Sequence, residues 1–349
     1  MTHEYERVIA PADALRLHLN ENTAGCSPKV LEAIQSLTRH DIATYPDYDA
    51  VTAACAARLG VGADRLVLTN GLDDGILATA MAALKHSPRE APFESIIVVP
   101  AFDMYAACTD AAGGRIVEVP LGDGFAFPFA ALLAASNERT RAVFLTNPNN
   151  PTGGLVREQD ILTIARTAPQ ALIFVDEAYA DFAGQTLLGP GFDALPSNVI
   201  VGRTFAKAYG LAGIRAGAVV GAAETIAPLR RTVPPYTLNV GAAVALPAAL
   251  EDVGYFDWYV AQVTESRQLL YRTLDRFGVT YWPSHGNFVL VRFGGRLRAV
   301  IDGLAERGVA IRDRSRDPGC AGCARITTGV VEHTVRCTQA LEEVLCGAA

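Results

Sequence analysis

The sequence predicts an α/β protein, a mostly parallel sheet covered by helices on both faces, with a smaller α+β unit beside it. Two observations carry this. From Arg65 onward, short and continuously apolar runs alternate with helical stretches, as they do where strands are buried on both faces. Past about Pro235 the pattern changes to long amphipathic helices interleaved with short strands. A chain of 349 residues, 50% of them hydrophobic, can bury one large core and a second, smaller one. The expected division is an N-terminal segment 1–40 that joins the small domain, a large domain 41–235 and a small C-terminal domain 236–349.

Taken in order, residues 17–22 (Leu-His-Leu-Asn-Glu-Asn) alternate ahead of a turn. Ser27 reads as an N-cap with Pro28 at the first helical position, and Val30, Leu31, Ile34 and Leu37 give the helix its apolar face. Tyr45-Pro46-Asp47 belongs to a Pro-bounded loop, followed by a helix ending near Leu59. Strands are expected at 66–69, 95–99, 115–119, 142–146, 172–175 and 199–201. In the smaller unit, helices at 258–277 and 297–307 are interleaved with strands at 287–291 and 308–312.

A net charge of −7 with no basic block argues against a nucleic acid or an anionic membrane surface as partner. No apolar run reaches the length of a signal sequence or a membrane span, so a soluble, cytoplasmic protein is expected. Seven cysteines, odd in number and scattered, suit reduced thiols better than a disulfide framework. Cys320-Ala321-Gly322-Cys323 has redox or metal spacing. It has no second such pair and no neighbouring histidines, so it reads as two loop cysteines, and no metal is expected.

Ligands of open α/β sheets gather at the carboxyl ends of the strands. The polar residues fall there: Asn70-Gly71, Phe102 beyond Pro100, 147–153, Asp176 and Lys207 each follow an apolar run. Lys207 sits on a Gly-flanked turn and is one of only three lysines, with Lys29 and Lys85, in a chain that otherwise uses arginine. An arginine stays protonated, whereas a lysine near other cations or in an apolar pocket can be neutral and form a Schiff base with a carbonyl. In isolation Lys207 would read as a surface lysine; its companions decide otherwise.

Asn147-Pro148-Asn149-Asn150-Pro151-Thr152-Gly153, Val175-Asp176-Glu177-Ala178-Tyr179 and Arg203-Thr204-Phe205-Ala206-Lys207-Ala208-Tyr209-Gly210-Leu211-Ala212-Gly213-Ile214-Arg215 resemble, in order and spacing, the fold-type-I pyridoxal-phosphate aminotransferases. Leu19-Asn20-Glu21-Asn22, Tyr45-Pro46-Asp47, Pro100-Ala101-Phe102-Asp103-Met104-Tyr105, Ser284-His285-Gly286-Asn287-Phe288-Val289-Leu290, Ile311-Arg312-Asp313 and Arg325-Ile326-Thr327 resemble the histidinol-phosphate branch. The resemblance implies a large domain with a mostly parallel seven-stranded sheet and a smaller α+β domain. It also implies a homodimer that uses pyridoxal 5'-phosphate to move an amino group from a histidinol-phosphate-type donor to a 2-oxo acid such as 2-oxoglutarate, in histidine biosynthesis.

Roles follow residue by residue. The resemblance makes Lys207 the amine that bonds the cofactor and then carries the proton, and Asp176 the carboxylate at the ring nitrogen. Tyr179 and Asn150 match the pair at the ring hydroxyl, and Phe102 the aromatic stacked on the ring. Gly71, Leu72 and Asp73 open a helix whose free N–H groups suit a phosphate, with Thr204, Arg215 and, from the neighbouring subunit, Tyr45. Arg325 matches the partner of the substrate α-carboxylate; Asn22 and Arg312 match the far end of the pocket. Two departures, Leu72 for a small residue and Ala206 for a hydroxyl one, together with the charges of Asp73 and Asp74, predict weaker phosphate binding. Three other readings stay open: an aminotransferase for aromatic or other amino acids, a lyase resembling phosphothreonine decarboxylase, and a non-catalytic regulator. The last is disfavoured by the absence of a basic recognition helix.

Overall fold

The computed structural model describes residues 10–11, 13–88 and 90–347. Their strands are β1 (Leu15–Leu17), β2 (Leu66–Thr69), β3 (Glu94–Val99), β4 (Arg115–Pro120), β5 (Thr140–Thr146) and β6 (Leu172–Asp176), then β7 (Val199–Thr204), β8 (Gly217–Gly221), β9 (Thr280–Trp282), β10 (Phe288–Arg292), β11 (Val309–Asp313) and β12 (Cys323–Thr327). Seven of them form one sheet in the order β2-β8-β7-β6-β5-β3-β4, and five form another in the order β1-β11-β12-β10-β9. In the larger sheet β8 alone runs antiparallel to its neighbours. The smaller sheet is mixed, with β1 parallel to β11 and the other pairs antiparallel.

Alternation along the strands builds a core on each face of the large sheet. Val143, Leu145, Ile173, Val175, Val199 and Val201 share one core, whereas Ala142, Phe144, Phe174 and Ile200 belong to the other. This is why the runs read as apolar without interruption. Where the alternation meets the strand ends, it also sorts the polar residues. Asp176 and Thr204, the last residues of β6 and β7, line the cleft. Their chain neighbours Glu177 and Arg203 form a buried ion pair at 3.2 Å that ties the two strand ends together. Arg203 also pairs with Asp181, so the buried cation has two carboxylates.

The small sheet has its own core, with Leu15, Leu17, Val289, Val291, Val309, Ile311 and Ile326 among its residues. The N-terminal segment is shared between the two units. β1 joins the small sheet, while Val30, on the helix Pro28–Gln35, enters the large unit's core. That core continues past residue 235, because the helix Val240–Glu251 contributes Ala242, Ala245, Leu246, Ala249 and Leu250 to it. Ser27 caps its helix as the sequence predicts, its side chain accepting from the Lys29 N–H at 3.2 Å. Among the described residues, no helix is long and apolar enough to cross a membrane.

The sequence reading missed β8, β9 and β12. The alternating stretch 17–22 overlaps β1 only at Leu17, where the strand ends, and the chain turns at Asn20, whose φ is 55°. Asn20 is held there by Thr327, whose hydroxyl accepts from its N–H at 3.0 Å and donates to its side-chain oxygen at 3.1 Å.

Candidate active site

A cavity of about 620 Å³ opens between the two sheets. The large sheet supplies Thr146, Asp176 and Thr204 from strand ends and Lys207 from the turn after β7; the small sheet supplies Arg312 and Arg325. Leu19, Asn20 and Glu21 close it from the segment after β1.

Asp176 is 4% exposed. Burial raises its pKa to about 6, opposed by hydrogen bonds from the Tyr105 hydroxyl to Oδ2 at 2.6 Å and the Ala178 N–H to Oδ1 at 2.9 Å. Lys207 is half-buried and donates to the Leu19 carbonyl at 3.3 Å. Burial, with the Arg325 cation nearby, lowers its pKa from 10.5 to about 8. A buried acid and a lysine depressed toward neutrality in one cavity are the pairing expected of proton-transfer chemistry.

Tyr179 is buried, packs edge-on against Phe288 at 4.9 Å and accepts from Asn20 Nδ2 at 3.0 Å. The Asn150 side-chain oxygen accepts from Arg325 Nη1 at 2.5 Å, which leaves its NH₂ group to donate elsewhere. Arg325 Nη2 donates to the His18 carbonyl at 2.7 Å. Its guanidinium is thereby fixed as a planar fork on the cavity wall. Phe102 lines the same cavity, edge-on to Tyr105 at 6.0 Å.

At one end stands the start of the helix Leu72–Leu84, whose N-cap, Gly71, offers no side-chain cap. Its first N–H groups are therefore open to an anion. Arg215, at a φ of 61°, reaches this end and pairs with Asp73 at 2.9 Å. The Asp74 carboxylate is held by its own loop and by a distant segment, accepting from the Asn70 N–H at 3.2 Å and the Thr237 hydroxyl at 3.0 Å. Thr204 Oγ1 accepts from the Ala206 N–H at 3.2 Å, so its own O–H remains to donate. Leu72 is accommodated by two glycines: a Cβ at Gly202 would lie 2.9 Å from Leu72 Cδ1, and one at Gly75 3.5 Å from it. Most of the Leu72 side chain is thus absorbed by the core.

Two expected residues lie elsewhere. Asn22 does not line the cavity; its side chain donates to the Ala208 carbonyl at 3.0 Å and accepts from the Ala24 N–H at 2.9 Å, both bonds holding the turn. Tyr45 is 76% exposed, outside its own chain's cavity, and stacks on Tyr236 at 4.1 Å. Among the residues to which the sequence reading gave no site role are Asn20, Thr146 and Arg314 on the cavity wall and Tyr105 behind it. For Arg314 a signal existed, since it follows Arg312 by two and a strand's side chains repeat with that period. It is held by Asp317 at 2.5 Å.

Cys320 and Cys323 are buried free thiols near Phe125 and Trp282, and burial pushes Cys320 up to about 12. Among the described residues, no group of three or more His, Cys, Asp or Glu is placed to hold a metal ion.

Residues 12–342 match the family described as aminotransferase class I and II. A relative from Geobacillus sp. (strain WCH70), named histidinol-phosphate aminotransferase, is 33% identical over 347 residues, covering 98% of this chain and 93% of its own. The crystal structure of histidinol-phosphate aminotransferase from Sinorhizobium meliloti in complex with pyridoxal-5'-phosphate superposes with a TM-score of 0.86 at 28% identity, over 96% of this chain and 92% of that one. L-threonine-O-3-phosphate decarboxylase from Porphyromonas gingivalis shares the fold, with a TM-score of 0.79 at 22% identity over 95% of this chain and 99% of that one. With the family's pattern spanning nearly all of its length, the chain belongs to the class I and II aminotransferases, enzymes that work with pyridoxal phosphate.

Proposed function

We propose that this enzyme transfers the amino group of histidinol phosphate to a 2-oxo acid, with 2-oxoglutarate as acceptor, in histidine biosynthesis. The observation that carries the reading is an arginine wall. Arg312 on β11 stands opposite Arg325 on β12 in the strand register, and Arg314 follows two residues on, all three lining the cavity. A phosphate on the donor and carboxylates on the acceptor both call for such cations, and one wall can serve each half-reaction in turn. The named relative at 33% identity supports the same donor.

The residues present fit pyridoxal phosphate: a buried carboxylate, a lysine of depressed pKa, an aromatic wall and an uncapped helix start beside Arg215 share one cavity. Bound, the cofactor supplies an electron sink for the charge that develops at the substrate α-carbon. Asp176 would hold the positive charge of the ring nitrogen, and Tyr179 and Asn150 would bond the ring hydroxyl. Phe102 would pack on the ring face. Gly71, Leu72, Asp73, Thr204 and Arg215 would take the phosphate. Lys207 Nζ would bond the cofactor; once displaced by the substrate's amine, its free amine would accept the proton of the substrate α-carbon and hold it for return. Arg325 takes an α-carboxylate, and Arg312 with Arg314 the donor's phosphate.

Gly71→Ala should weaken cofactor binding at least about tenfold. A Cβ there would lie 2.4 Å from Arg215 Nη2, and the residue's φ of 77° disfavours any side chain. Fluorescence titration of the cofactor-free protein with pyridoxal phosphate measures this.

Arg312→Gln tests the donor. Losing a charge-assisted bond to a phosphate costs about 1.5–3 kcal/mol, so KM for histidinol phosphate should rise about ten- to hundredfold while phenylalanine, which has no phosphate, is little affected. Equal effects on both donors would contradict the phosphate role.

Tyr45 and Tyr236 form an exposed aromatic pair, which supports a homodimer in which Tyr45 reaches the partner's cofactor phosphate. Seven free cysteines support a reducing, cytoplasmic setting. We propose a division into an N-terminal segment 1–40 that joins the small domain through β1, a large domain 41–235 and a small domain 236–349, with Val30 and the helix Val240–Glu251 packing across these bounds into the large core.

A further inference from the structure

We propose that Tyr105 is a positioning residue for the cofactor: held by Thr146, its hydroxyl locks the Asp176 carboxylate so that one lone pair stays directed at the ring nitrogen. The inference rests on the role of Asp176 proposed above.

Tyr105 is 0% exposed, on the helix Met104–Ala111. Its ring stacks on Phe144 at 5.1 Å and meets Phe102 edge-on at 6.0 Å. A phenol enclosed in this way needs partners for its hydroxyl, and Tyr105 has two: Asp176 Oδ2 at 2.6 Å and Thr146 Oγ1 at 2.9 Å.

A phenol has one proton to give. The shorter bond runs to a carboxylate, which when ionised can only accept, so the Tyr105 proton goes to Asp176 and the Thr146 hydroxyl donates to Tyr105. The chain of donation therefore has one direction, from Thr146 through Tyr105 to Asp176. Burial and the Asp176 charge raise the Tyr105 pKa well above the usual phenol value, so the proton stays in place across the working pH range.

The second Asp176 oxygen is engaged by the Ala178 N–H at 2.9 Å. With a fixed donor on each oxygen, the carboxylate cannot rotate, and its remaining lone pairs keep a set direction. Both bonds also favour the ionised form against burial, which alone would drive Asp176 toward the neutral acid. Tyr105 further packs against Phe102, so a single side chain orients the carboxylate and supports the aromatic wall.

The test compares Tyr105→Phe and Thr146→Val with Asp176→Asn as reference. Phenylalanine keeps the ring and its stacking, and valine keeps the shape of threonine; melting curves of the cofactor-free proteins establish that each is folded. Two quantities are read: the affinity for pyridoxal phosphate by fluorescence titration, and the pH midpoint of the bound cofactor's visible absorption. Tyr105→Phe is expected to lose about ten- to hundredfold in affinity and to move the midpoint in the same direction as Asp176→Asn, with Thr146→Val moving it less. If Asp176→Asn shifts both quantities and a folded Tyr105→Phe shifts neither, the positioning role is refuted. Should Tyr105→Phe not fold, a folded Thr146→Val that shifts neither quantity refutes it instead. If Asp176→Asn itself shifts neither, the proposed role of Asp176 fails, and the inference with it.

Discussion

Lys207→Ala is expected to lower kcat by at least about 10⁴-fold, because on the proposed roles it would remove both the group that bonds the cofactor and the group that moves the proton. No other lysine of the chain can substitute. Lys29 and Lys85 are the only other lysines of the chain, and neither lines the cavity. The cavity also accounts for why an arginine would not serve: it lowers the Lys207 pKa to about 8, chiefly by burial, so that a far larger share of the side chain is neutral near physiological pH than for a free lysine, although the protonated form still predominates. The sign gives a second measurement. A depressed pKa enlarges the unprotonated share, so the rate at which cofactor-free protein bonds pyridoxal phosphate should rise with pH and level off above about 8. Partial rescue of the alanine variant by a small exogenous amine would separate lost chemistry from lost folding.

Asp176→Asn is expected to reduce kcat by about 10²–10³-fold, with a smaller change in KM. The amide keeps the size of the side chain but cannot hold the ring nitrogen's positive charge. The effect should therefore concentrate in the step where negative charge develops at the substrate α-carbon. The substituted amide would also meet the Tyr105 hydroxyl and the Ala178 N–H, which now bond the two carboxylate oxygens, and its NH₂ could accept neither. Steady-state kinetics across a range of pH would separate this from a simple loss of cofactor, provided pyridoxal phosphate is kept in excess.

The candidate residues that close or follow the apolar runs of β5, β6 and β7 were legible in the sequence because an apolar run can be read locally. β8 was not, since Gly217 and Gly221 bound it and Ala218 follows the first of them, so it carries little apolar signal. β12 reads Cys-Ala-Arg-Ile-Thr and gives no run either, although it delivers Arg325 to the cavity. Asn22, which the resemblance put at the far end of the pocket, holds a turn instead, and it is Asn20, in the left-handed conformation, that meets Tyr179. Two further features needed three dimensions. Leu72 reads as an intrusion on the phosphate end, and only the approach of Gly202 and Gly75 reveals where its side chain goes. Asp73 and Asp74 read as equal repulsive charges, yet Asp74 is held by Asn70 and Thr237 while Asp73 neutralises part of Arg215.

The measurement that tests the central claim most directly is the visible absorption spectrum of the purified protein loaded with pyridoxal phosphate, before and after histidinol phosphate is added. Phenylalanine and threonine phosphate are run in parallel. The predicted result is conversion of the bound cofactor to its pyridoxamine form by histidinol phosphate, with much less by the other two, and its reversal by 2-oxoglutarate. Conversion by phenylalanine in preference to histidinol phosphate, or release of carbon dioxide from threonine phosphate, would contradict it.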